Sequence, residues 1–159
     1  MPRIELTTYL AAPRERCFEA SLSVDGHTSS MARSGERAVA GVTSGVLGPG
    51  DEVTWRARHF GLPFTMRVAI TAHEAPGRFV DEQVAGPFRR WRHEHLFAPS
   101  GTGTVMTDVV EFASPVGPIG RCVDALVLTR YLTRLLQQRN AWLAGEMSEP
   151  DAGTVGGRP

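Results

Sequence analysis

The chain has 159 residues, 42% of them hydrophobic and 21% charged, which bounds it to one globular domain with a substantial core. Seventeen basic and seventeen acidic residues cancel, so the basic excess that phosphate backbones demand is missing and nucleic acid is not the expected partner. No apolar run is long enough to span a membrane, and the opening residues MPRIELTTYL lack the apolar centre of a signal peptide, so a cytoplasmic location is expected.

Residues 3–10 alternate, with Ile4, Leu6, Thr8 and Leu10 on one face, and predict a strand. Pro13 suits the first turn of a helix, which RERCFEASLS continues. Cys17 and Cys122 form no CxxC pair and are expected to be buried, reduced thiols. VDGHTSSMARSG reads as a short second helix and a loop, ERAVAGV as a short strand, and TSGVLGPG as a glycine-rich connection. Five alternating runs follow: DEVTWRARHF, PFTMRVAITAHE, FVDEQVA, RWRHEHLFA and TVMTDVVEFA. Short Gly/Pro turns separate them, so they read as an antiparallel meander.

After the loop PVGPIG the period changes. Residues 119–145 run without a breaker, with Leu128, Leu132, Leu135, Arg139 and Trp142 on one stripe, and predict a long amphipathic helix that stops at Gly145. The polar, Gly/Pro-rich residues 146–159 are expected to be a disordered tail outside a domain of residues 1–145. A long helix laid on one face of a curved sheet, with two short helices at its end, leaves a gap of the kind where small molecules bind.

This order of elements resembles the helix-grip fold of the START/Bet v 1-like (SRPBCC) superfamily, and within it the bacterial single-domain cyclase/dehydrase-like members. The likeness covers residues 3–145. It is carried by WRARHFG (55–61), FVDEQVAGPFRRWRHEH (79–95), GTVMTDVVEFASPVGPIG (103–120) and the final helix. The resemblance implies an α+β fold in which a seven-stranded antiparallel sheet wraps around a long C-terminal helix, with two short helices after the first strand. It also implies a hydrophobic, aromatic or polyketide-like small molecule as the partner. The implied activity is a cofactor-independent lyase or isomerase reaction of the cyclase, aromatase or dehydratase kind; the alternative is a non-catalytic carrier or self-resistance protein. No membrane partner is implied, and the chain is expected to be a monomer or homodimer.

Within WRHEHLF (91–97), alternation puts Trp91, His93, His95 and Phe97 on one side and Arg92, Glu94 and Leu96 on the other. Four-residue loops at 60–63 and 99–102 would pair Trp55 with Val68, His59 with Phe64, Trp91 with Val110, His93 with Asp108 and His95 with Met106. Pairing Gln83 with Trp91 would set Asp81 opposite His93. His93 would then lie between Asp81 and Asp108 on the cavity face, where carboxylates fix a tautomer and burial opposes its charge. Such a histidine suits general acid/base work. In this reading His93, Asp81 and Asp108 are catalytic. Gln83 and His95 bind carbonyls, Trp55, Trp91 and Met66 shape the ligand, and His59 and Met106 complete the wall. A slip of one residue would instead bury Val80 and Val84, or Val105 and Val109, and turn the carboxylates to water. HxH with His59 could chelate zinc, but hydrogen-bonded cavity histidines account for the pattern without a metal.

Overall fold

The computed structural model of the chain describes residues 1–115, 117 and 127–150. The loop expected at 115–120 lies partly, and Cys122 and the tail from 151 wholly, outside the described residues. The elements run β1 (Arg3–Leu10), α1 (Arg14–Ser21), α2 (Val24–Ser30), a single 3-10 turn (Ala32–Ser34), β2 (Arg37–Gly41), β3 (Glu52–His59), β4 (Leu62–Glu74), β5 (Arg78–Ala85), β6 (Arg90–Ser100), β7 (Gly103–Ala113) and α3 (Thr129–Ser148). One antiparallel sheet holds all seven strands in the order β1-β7-β6-β5-β4-β3-β2. This is the helix-grip α+β architecture the resemblance implied.

Two apolar clusters flank the interior. One joins Leu10, Phe18 and Leu22 from the first strand and helix region to Val68, Phe79, Phe97 and Leu143. The other joins Ile4, Val110 and Phe112 to Leu132 and Leu136. The period-2 pattern of β6 and β7 and the helical stripe of α3 thus meet across the sheet's concave face. Register shifts at Arg67/Val68 and Ile70/Ala72 interrupt the β4–β5 ladder, the irregularity that lets a long sheet bend. On the other face Val80, Glu94 and Val109 form a row, and Arg78 and Arg92 pair with Glu94. Val80 and Val109 are buried too, so both faces of the central strands carry buried valines.

The turns correct the expected register. Phe60 and Gly61 both have positive φ, 54° and 74°, which makes a two-residue hairpin turn rather than a four-residue loop. His59 therefore pairs with Leu62 and Trp55 with Met66, not with Phe64 and Val68. Likewise Ser100 pairs with Gly103 around Gly101–Thr102, so His93 pairs with Val110, His95 with Asp108, and Phe97 with Met106. Each slip is two residues, an even number, so every side chain keeps its predicted face. Asp81 does pair with His93, but the β5–β6 ladder ends at Glu82–Arg92, so Gln83 and Trp91 do not pair with each other. Helix α3 continues through Gly145 to Ser148 because Met147 packs into the larger cluster, which outweighs the roughly 1 kcal/mol cost of an internal glycine.

Gly41 and Gly35 separate two costs. Both have positive φ, 73° and 62°, but a Cβ on Gly41 would run into the Glu52 carbonyl, whereas Gly35 faces open space. Gly35→Ala should cost about 1–2 kcal/mol of stability, and Gly41→Ala clearly more, by thermal or urea unfolding. Equal costs would show that β2 does not approach β3 this closely.

Candidate active site

Between the concave face and α3 lies a cavity of about 320 Å³. Val53, Val68, Ile70 and Phe79 line it from the sheet, and Leu132, Leu135 and Leu136 from the helix. Its floor is polar. His93 and His95 are i and i+2 on β6, so they share a face, and their rings lie 3.8 Å apart, tilted by 36°. Two carboxylates hold this pair from opposite sides. Asp108, fully buried on β7, has Oδ1 at 3.0 Å from His93 Nε2. Asp81, on β5, has Oδ2 at 3.2 Å from His95 Nε2 and 3.7 Å from His93 Nδ1. His95 Nδ1 lies 2.9 Å from Asp108 Oδ1 but out of line for donation, so that contact is electrostatic only.

Helix α3 supplies the rest. Asn140 Nδ2 donates to Asp108 Oδ2 at 2.7 Å and to Thr8 Oγ1 at 3.1 Å. Arg139, only 7% exposed, reaches Asp108 Oδ1 at 3.4 Å, the Asn140 amide oxygen and the Ser21 carbonyl. Trp91 Nε1 donates to Asp81 Oδ1 at 3.4 Å, and Phe79 stacks on His95 at 4.1 Å. Asp108 thus ties β7, β6 and α3 through one carboxylate.

Burial alone would raise both carboxyls. The His93 hydrogen bond and the electrostatic pull of both imidazoles hold Asp108 well below the usual carboxylate range, and the His95 and Trp91 hydrogen bonds, with the same pull, hold Asp81 below it. Burial pushes the His93 pKa down, and so does the second imidazole at its side, against the pull of Asp108 and Asp81. Neutral His93 facing an ionised Asp108 must carry its proton on Nε2. Its Nδ1 lone pair then points to the Asp81 side, too far from Asp81 for a hydrogen bond.

A second polar group lies elsewhere on the cavity wall. His27 Nε2 lies 2.9 Å from Glu36 Oε1, and the His27 ring is tilted over Trp55 at 4.3 Å. His59 Nδ1 bonds the Tyr131 hydroxyl at 2.7 Å. Burial would raise Glu36, but the charge and hydrogen bond of His27 hold it low. Burial lowers His59 and raises Tyr131.

Of the residues expected from the sequence, Trp55, His59, Met66, Asp81, Trp91, His93 and His95 line the cavity. Asp108 sits behind the histidines. Met106 is fully buried in the larger apolar cluster, and Gln83 clamps the 86–88 turn through two bonds to the Phe88 backbone. Arg139, Asn140, His27, Glu36 and Tyr131 are not among the expected set. Arg139 does leave a signal, a charge within the apolar stripe of the helix. Asp81, His93 and His95 bring one donor atom each within 4.8 Å of one another, a spacing a metal ion could bridge.

No protein-family model matches the sequence and no curated protein matches it. Solved structures do. The Zhui aromatase/cyclase from Streptomyces sp. R1128 superposes with a TM-score of 0.73 at 16% identity, covering 97% of this chain and 99% of that one. TTHA0849 from Thermus thermophilus gives 0.71 at 19%, covering 92% and 100%. Ginseng major latex-like protein 151 from Panax ginseng gives 0.68 at 10%, covering 93% and 98%. At these identities the likeness is one of fold alone, the helix-grip fold. No helix among the described residues is long and apolar enough to cross a membrane.

The shifts at His93, Asp81 and Asp108 fix the sign of the acid response. The unfolded chain binds a proton at His93 first, so that contribution to stability is present above about pH 6.5 and declines as pH falls through this unfolded value. The carboxylates' contribution is present above their unfolded values near pH 4 and is lost below. Calorimetry should show Tm falling steadily from about pH 7 to about pH 4. Asp108→Asn should lower Tm at neutral pH and flatten the fall. A Tm that rises on acidification would contradict the assigned protonation states.

Proposed function

We propose that the chain binds a hydrophobic, aromatic or polyketide-like small molecule in the cavity and acts on it by cofactor-independent proton transfer, in a cyclisation or dehydration. The observation that carries this reading is the open Nδ1 of His93 on the floor of an apolar cavity, opposite the Asp108 bond that fixes its tautomer. The likeness to an aromatase/cyclase supports the reaction class, and the likeness to a latex-like protein supports a small-molecule cavity in this fold.

In this mechanism His93 Nδ1 takes a proton from carbon beside a ligand carbonyl. The resulting imidazolium lies between the Asp81 and Asp108 carboxylates, which stabilise the charge it has gained. The same proton is then returned to a departing hydroxyl, so the step needs no outside oxidant or reductant. Asp108 is a positioning residue, since it acts through His93 and never meets the ligand. Trp55, Met66 and Trp91 shape the ligand, and Asp81 and His95 face it from the floor.

A second reading has its own observation. Asp108 also bonds Asn140 and Arg139, so the network clamps sheet to helix, and the histidines could serve recognition alone in a carrier. His93→Gln separates the two. If His93 is the base, turnover of a converted compound, found by mass spectrometry in host extract incubated with the protein, should fall at least about 100-fold. Affinity for the compound should change by less than about tenfold. Surviving turnover would remove His93 from the chemistry. A bound compound recovered unchanged would leave the carrier.

The depressed His93 pKa also fixes the pH response. The base form persists below the ordinary histidine value, so the acidic limb of kcat/KM should lie below about pH 6.5. A limb above that value would assign the base to another group.

A further inference from the structure

We infer that the cavity selects a hydrophobic aromatic ligand bearing a protonated amine, and that the buried Glu36 carboxylate is its counter-charge. This rests on the ligand-binding reading and adds the charge of the ligand and the place where that charge sits. The polar floor does not require it, since Glu36 stands apart from the His93 network.

The charges around the cavity are unbalanced. Glu36 and Asp81 line it and Asp108 lies directly behind its floor. Arg139 is the one lysine or arginine among the described lining residues. Its Nη1 is held by Asp108 and Asn140, and its Nη2 by the Ser21 carbonyl. Histidines aside, three carboxylates face one guanidinium that is already engaged. A carboxylate ligand would enter a low-dielectric space lined by groups of its own sign and find no unengaged guanidinium or ammonium to meet it. An ammonium would relieve the imbalance.

The surroundings of Glu36 point the same way. Its Oε1 is taken by His27, and Oε2 has no partner among the described residues. The Glu36 side chain is 12% exposed, so the carboxylate is largely withdrawn from water yet opens on the cavity. Around it the wall is aromatic: Trp55, Phe60, Phe64 and Tyr131 all line the cavity. These rings are contiguous with the polar group. Trp55 packs on His27, Phe60 on Tyr131 at 4.5 Å, and Phe64 near His59 at 5.8 Å. The negative faces of aromatic rings beside a partly desolvated carboxylate attract a cation and repel an anion. The His59–Tyr131 hydrogen bond adds neutral polarity and no positive charge, because burial keeps the imidazole uncharged and the phenol protonated.

The test uses the full chain and three matched probes: 1-naphthylmethylamine, 1-naphthylmethanol and 1-naphthoic acid, titrated calorimetrically near neutral pH. The amine should bind tightest and exceed the acid by at least about tenfold. Glu36→Gln should weaken the amine by about tenfold while the alcohol moves by less than about threefold. Trp55→Leu, an independent variant, should weaken the amine more than the alcohol. An acid that binds as tightly as the amine to the wild type overturns the inference, as does a Glu36→Gln variant that keeps the wild-type preference. If the alcohol binds without an advantage for the amine, the charge assignment fails and ligand binding stands. If none of the three binds, both fall.

Discussion

The carboxylate of Asp108 has no contact with water, and it is the point at which the sheet, the helix and the cavity floor meet. A buried charge is tolerated only when neighbours replace its hydration, and here four groups do so: the His93 imidazole, the Asn140 amide, the Arg139 guanidinium and, electrostatically, the His95 ring. Removing one partner of such a set typically costs about 3–5 kcal/mol, because the remaining charge stays buried. That constraint fixes more than stability. It sets the rotation of α3 against β1 and β7 through Asn140 and Thr8, and it sets which nitrogen of His93 holds the proton. The architecture and the chemistry offered to the cavity therefore depend on one side chain that no ligand touches.

The hollow follows from the same arrangement. Helix α3 is held at one side of the sheet by Ile4, Val110, Phe112, Leu132 and Leu136, and near its C-terminal end by Leu143 and Met147. Between these anchors the sheet bends away, and side chains from the two surfaces line the space without filling it. The polar groups on its wall are bonded to one another, chiefly as imidazole–carboxylate contacts and the His59–Tyr131 bond. They can stay in an apolar cavity because each imidazole makes a hydrogen bond within the protein. Among the groups open toward the ligand are one nitrogen of His93 and one oxygen of Glu36.

Much of the fold was legible because it is written in period and punctuation. Seven runs and one long helical stripe marked the strands and the final helix, and the face of β6 followed from Arg92 and Glu94 belonging in solvent, whereas β7, with valines on both faces, left its face open. Pairing was harder. The dipeptides Phe60-Gly61 and Gly101-Thr102 make two-residue turns, although flanking prolines at 63 and 99 suggest longer loops. The errors were even, so His93 and Asp108 still meet, now diagonally across neighbouring pairs. Arg139 was visible as a charge on an apolar face and needed only a buried anion to explain it. His27 and Glu36 were not legible. His27 lies in a stretch without a period and Glu36 at the head of a short strand, and only the packing of α2 against the strands brings His27 to Trp55 and Glu36 to His27.

The central claim is that burial keeps His93 neutral and that Asp108 fixes its proton on Nε2, leaving the Nδ1 lone pair open. Long-range proton–nitrogen NMR of the imidazole rings near neutral pH tests this most directly, with His93→Gln used to assign the signals. The expected spectrum shows a His93 ring with a protonated Nε2 and an unprotonated Nδ1, and a change in that pattern in Asp108→Asn. A His93 ring that is doubly protonated at neutral pH, or that carries its proton on Nδ1, would contradict it.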